Sequence, residues 1–191
     1  MDFPWNQILW AQLGASIDML ENAIEACPDG LWSDPSRRPE WNSTGIVGFW
    51  YLVYHTLFFL DLQLSDSAEG FMPPAPFDLR ELDPAGLLPD RPYTKDELIS
   101  YLRHCREKCR SILAILTEEE ARRMCRFNSL NLTYAELLLY SMRHVQHHGA
   151  QLHLLLREYA GVAPRYVKRA RPLSERPPSV PDAQSATNPT A

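Results

Sequence analysis

The sequence predicts an all-α protein, a four-helix bundle with a long crossover between the second and third long helices. Three observations predict it. Four segments carry apolar residues at three- and four-residue spacing, the pattern of a helix that buries one stripe. Thr94 and Thr133 each stand three residues before a glutamate, Glu97 and Glu136, at the start of such a segment; this is the capping-box signature of a helix N-terminus. Between the second and third segments lies a stretch punctuated by Pro73, Pro74, Pro76, Pro84, Pro89 and Pro92. It is too long for a hairpin, and long enough to carry the chain along a bundle. With 191 residues, 45% hydrophobic and 23% charged, the chain suits one domain with a substantial core. That domain is expected over residues 1–164, followed by a basic run and a disordered Pro-rich tail over 165–191.

The first long helix is expected from Pro4 to about Ala26, with Trp5, Ile8, Leu9, Leu13, Ile17, Leu20 and Ile24 as its buried stripe. Cys27-Pro28-Asp29-Gly30 stops it, and a loop follows from Leu31 to Asn42 with Pro35 and Pro39. The second helix begins near Ser43 or Thr44, either a suitable cap, and continues to about Leu64. Phe49, Trp50, Tyr51, Tyr54, Phe58 and Phe59 make it aromatic on every side. A helix of that kind must be covered all round, by a central position or by an oligomer interface. The third opens at Thr94, with Leu98, Tyr101, Leu102, Cys105, Cys109, Ile112, Leu113 and Leu116 facing inward. Thr117-Glu118-Glu119-Glu120 repeats the capping signal and starts a short helix to about Cys125. Phe127 to Leu132 reads as a linking loop. The fourth helix runs from Thr133 to Ala160-Gly161, where glycine commonly ends a helix. Arg165 to Arg171 reads as a solvated basic end.

Composition excludes several functions. A net charge of -5 argues against nucleic acid as partner. The most apolar stretch, Ile46 to Leu60, is shorter than the about 20 residues a membrane span needs, so no membrane is expected. The N-terminus lacks a basic stretch followed by a continuous apolar run. The four cysteines, Cys27, Cys105, Cys109 and Cys125, read as reduced thiols of a cytoplasmic protein. Cys105 and Cys109, one turn apart, read as packing residues.

The chemistry concentrates in the fourth helix. Three of six histidines fall within Arg143-His144-Val145-Gln146-His147-His148. His144 and His148, at i and i+4, stack on one helix face, and Leu137, Leu152 and Leu155 place that face inward. Two imidazoles on an inward face chelate a metal if a third ligand comes from elsewhere. His55, alone in the apolar second helix, is the candidate. The spacing by itself is weak, because surface histidines often fall one turn apart, and His55 read alone is a core histidine satisfied by a carbonyl or by Tyr51 or Tyr140. His147 points away from the pair and reads as a supporting or surface residue. His104 and His153 read as solvated. Gly149, with Ala150 beside it, suggests close approach of another helix or room for a bound molecule. Gln151 and Ser141, one turn to either side of the pair, are candidates to orient ligands. The sequence singles out no catalytic acid or base.

A histidine in the second of four helices, followed late by H-x-x-H-H-x-x-Q-L, resembles the DinB/YfiT-like superfamily over about Pro4 to Ala160. That resemblance implies the bundle with its long crossover, a homodimer, and a divalent metal, nickel or zinc, on His55, His144 and His148. It further implies metal-dependent chemistry on a small-molecule substrate, with a low-molecular-weight thiol such as bacillithiol or mycothiol in some relatives. The expected function is activation of a small thiol or water, S-transferase-like or hydrolase-like. The alternative is a non-enzymatic dimeric metal- or ligand-binding helical module. The family usually reads His-His-Arg-Gly-Gln where this chain reads His147-His148-Gly149-Ala150-Gln151, so the arginine is absent.

Overall fold

The structure, a computed structural model, describes residues 4–34, 48–65, 67–127 and 130–172. Its order is α1 (Trp5–Ala26), α2 (Asp29–Trp32), α3 (Phe49–Leu64), a 3₁₀ turn (Leu79–Leu82), α4 (Lys95–Ile115), α5 (Glu118–Arg122), β1 (Met124–Phe127), β2 (Leu130–Thr133), α6 (Tyr134–Leu155) and a closing π turn (Leu156–Ala160). The four long helices α1, α3, α4 and α6 are the expected bundle. α4 and α6 each pack against both α1 and α3, so α1 and α3 face each other across the core. The expected caps at Ser43 or Thr44, the loop with Pro35 and Pro39, and the tail beyond Pro172 lie outside the described residues.

The caps form as the sequence predicts. Thr94, Thr117 and Thr133 each accept from the backbone N–H three residues on, and Glu97, Glu120 and Glu136 reach back to the cap N–H. Arg91 also binds Glu97, and with the cap it holds that carboxyl down at about 2. At the other end of α6, Gly161 adopts the left-handed conformation (φ 65°) that stops the helix.

α3 lies at the centre, and one chain covers it. Fourteen of its 16 residues are buried. Phe71, Phe77 and Tyr93 from the long connection pack over it, with the Phe77 ring stacked on Tyr54 at 5.9 Å and on Tyr101 at 4.4 Å. The connection is thereby part of the core. Asp61, 1% exposed, is paired with Lys108 at 2.6 Å and accepts from Tyr101 at 3.1 Å, as a buried carboxylate requires. The two residues of α3 that remain partly exposed are His55 and Phe59, one turn apart.

Three local features differ from the sequence expectation. The stripe of α1 starts at Leu9, and Trp5 and Ile8 are exposed. The expected linking loop forms a hairpin: β1 and β2 pair antiparallel, Met124 with Thr133 through Phe127 with Leu130, and the Tyr134 N–H closes it on the Arg123 carbonyl at 2.8 Å. β2, Leu130-Asn131-Leu132-Thr133, alternates over four residues, the shortest run that signals a strand, while β1, Met124-Cys125-Arg126-Phe127, does not alternate. Finally, the basic run is strapped along α1. The Trp10 indole donates to the Arg171 carbonyl at 2.5 Å, the Asn22 amide to Arg165 at 2.9 Å, and the Ala170 N–H to Ala11 at 3.0 Å. Its charged side chains stay in solvent while Ala170 is buried.

The strap depends on Gly14. A Cβ there would stand 2.7 Å from the Ala170 Cβ and 3.1 Å from the Trp10 ring, closer than carbon atoms pack. Gly14→Ala is therefore expected to lift residues 165–171 off α1. The checks are a shift in tryptophan fluorescence and faster proteolysis at the strap. Unchanged behaviour in both would show that the contact is not limiting.

Candidate metal centre

The contact of α3 with α6 builds the site. On α6, Val145, Gly149 and Leu152 are buried while Arg143, Gln146 and His147 are exposed. This orientation turns His144 and His148 toward α3, where His55 meets them. The ring centroids are 5.4 Å apart for His55 and His144, 4.9 Å for His55 and His148, and 4.6 Å for His144 and His148. One nitrogen of each ring lies within 4.8 Å of one from the other two. Phe59 walls the site, 4.8 Å from the His55 ring and 5.7 Å from His144. The three imidazoles are half-buried, at the one part of α3 that is not sealed.

Two of the rings have their remote nitrogens engaged. His148 Nδ1 lies 2.7 Å from Gln151 Oε1. A carbonyl oxygen only accepts, so Nδ1 carries the hydrogen and Nε2 keeps its lone pair. Gln151 Nε2 in turn donates to His147 Nε2 at 3.2 Å, which places His147 as an exposed support. His55 Nδ1 lies 2.5 Å from Glu81 Oε1, and Glu81 Oε2 accepts from the Tyr51 hydroxyl at 2.9 Å. His55 therefore also presents Nε2. The third ring differs: His144 Nδ1 is buried and finds no hydrogen-bond partner among the described residues. Such an orphan is costly, and a cation bound to this nitrogen itself would satisfy it.

Electrostatics keep two rings unprotonated. Burial, reinforced by His148, His55 and His147, pushes His144 down to about 3. Burial likewise lowers His148 to about 4, against the opposing pull of its bond to Gln151. Neutral imidazole is the metal-binding form. Three nitrogen donors, two of them on rings whose remote nitrogens are tied down, are the donor set of a borderline-soft divalent ion such as zinc or nickel.

The other sequence candidates fall elsewhere. The Ser141 hydroxyl is buried and donates to the Leu137 carbonyl at 2.8 Å, so its proton serves its own helix. His153, expected to be solvated, is buried and bonds the Met19 carbonyl at 3.2 Å, tying α6 to α1. His104 is exposed, as expected, and sits 3.4 Å from Asp61. Cys105 and Cys109 are buried free thiols; burial raises both, Cys109 to about 12, which suits packing and not ligation. Sequence reasoning missed Glu81. It lies in the 3₁₀ turn of the connection, and nothing in its local pattern marks it.

The sequence profile of the DinB superfamily matches residues 12–152. The chain belongs to the DinB superfamily. The crystal structure of a DinB-like protein of Bacillus subtilis, YjoA, is similar to it, with a TM-score of 0.53 and 19% identity over 87% of this chain and 99% of that one. At that identity the likeness speaks for the fold, which is the DinB-like bundle. No curated protein matches the chain. Among the described residues of this DinB-superfamily protein, no helix is long and apolar enough to cross a membrane.

Gly149, beside His148, is buried, yet a Cβ built on it would meet nothing within 4 Å. Close approach of another helix therefore does not explain it; there is open space. Alanine is favoured over glycine inside a helix by up to about 1 kcal/mol. Gly149→Ala is expected to raise stability by roughly that amount in a denaturant titration. A loss of stability would mean that the space is needed by the fold.

Proposed function

We propose that this DinB-superfamily protein holds one divalent metal ion, nickel or zinc, on His55, His144 and His148. We further propose that it works on a small thiol or water, as an S-transferase-like or hydrolase-like enzyme. The observation that carries the reading is the convergence of three imidazole nitrogens within 4.8 Å. Catalytic zinc sites keep three protein ligands and leave one position open, whereas structural sites close with four. When bound, an ion of this kind makes a thiol or a water acidic enough to attack an electrophile near neutral pH.

The chain's own residues do the rest. His144 and His148 stay neutral and so remain available as donors. Gln151 and Glu81 hold the Nδ1 hydrogens of His148 and His55 and aim the opposite nitrogens inward. Phe59 walls one side of the site, and the three rings stay partly exposed beside it.

A second reading is favoured by one feature: His55 comes from α3 and the other two ligands from α6. An ion there would join two helices, as in a non-enzymatic metal-pinned module. Elemental analysis of protein purified without a metal-affinity tag tests the common premise. One equivalent of nickel or zinc per chain is expected, lost in His148→Ala. Metal-free protein, even after incubation with excess ion, would contradict both readings. Chelation then separates them: the enzymatic reading expects thiol transfer or hydrolysis to stop while the helices stay folded, and the module reading expects the bundle to melt.

A further inference from the structure

We propose that Glu81 is a positioning residue of the three-histidine site, holding His55 in register for the ion and bringing the long connection between α3 and α4 into the site. This inference rests on the metal reading above.

Glu81 belongs to neither helix that carries a histidine. It sits on the 3₁₀ turn Leu79–Leu82, which Asp78 caps by accepting from the Arg80 N–H at 3.0 Å. Its side chain is 5% exposed. Both oxygens are committed to one face of α3: Oε1 to His55 Nδ1 and Oε2 to the Tyr51 hydroxyl, from residues one turn apart. The neighbouring Arg80 turns away to Asp78 and Asp90. Among the described residues Glu81 has no lysine or arginine partner.

A carboxylate buried with so little opposing charge is costly unless a cation stands near. The place for one is on the far side of the His55 ring. The hydrogen that His55 Nδ1 shares with Glu81 leaves the Nε2 lone pair facing His144 and His148. Negative charge behind an imidazole makes it a stronger donor, and loss of such partners weakens metal binding. Gln151 performs the same orientation for His148 with a neutral amide, so among these two supports Glu81 alone brings charge. A purely structural clasp would need no such alignment with the ligand nitrogen.

The test uses the full chain and zinc alone, titrated against a chromophoric chelator, with the thermal midpoint of the metal-free protein measured alongside. The variants are E81A, E81Q and Y51F, with H148A as the ligand control. E81Q keeps the shape and one acceptor oxygen, and so decides the matter if E81A fails to fold. We expect zinc affinity to fall roughly 10-fold in E81Q and up to about 100-fold in E81A, with Y51F, which spares the His55 bond, close to wild type. If E81Q and E81A bind zinc as the wild type does while H148A does not, the metal site stands and Glu81 is only a clasp for the connection. If the wild type binds no zinc, or H148A binds it equally well, the metal reading itself falls and this inference with it.

Discussion

The packing of α3 against α6 is the constraint on which the site depends. Two histidines on one helix are a common pattern with little meaning; a third ring delivered from a facing helix makes a point of convergence. That delivery requires α3 to be held in both rotation and register. Its rotation is fixed because 14 of its 16 residues are buried, leaving His55 and Phe59 as the gap. Its register is fixed by polar contacts on either side of the gap: Asp61 to Lys108 and Tyr101 on α4, and Tyr51 and His55 to Glu81 on the connection. A slide of one turn would break both sets.

Much of this is legible in the sequence because it obeys local rules. The three capping boxes form where threonine and glutamate stand three apart, and the i, i+4 arithmetic of His144 and His148 holds because α6 is regular there. His55 is the intermediate case. Its polar ring in an apolar helix demands a partner, and the sequence leaves both a tyrosine and a metal site open. The convergence of the three rings is a tertiary fact.

What escaped the sequence reading is tertiary or masked by composition. Glu81 lies 26 residues from His55 in a stretch whose prolines advertise only a connection. The 165–171 strap carries four charges, which read as solvated, and those side chains are indeed in solvent. Its backbone carbonyls and Ala170 make the contacts with α1, and neither leaves a trace in a charge pattern. His153 was indistinguishable from a surface histidine until the Met19 carbonyl came within reach. In the β1–β2 hairpin only β2 alternates, over four residues, and its partner β1 carries no period to pair with it.

The central claim is that His55, His144 and His148 act together as the donors of one ion. X-ray absorption spectroscopy of the zinc-loaded protein tests it most directly. The account predicts light-atom donors only, at about 2.0–2.1 Å, with the multiple-scattering signature of three imidazoles, falling to two in His55→Ala. A sulfur shell at about 2.3 Å, or an imidazole count unchanged in His55→Ala, would contradict it.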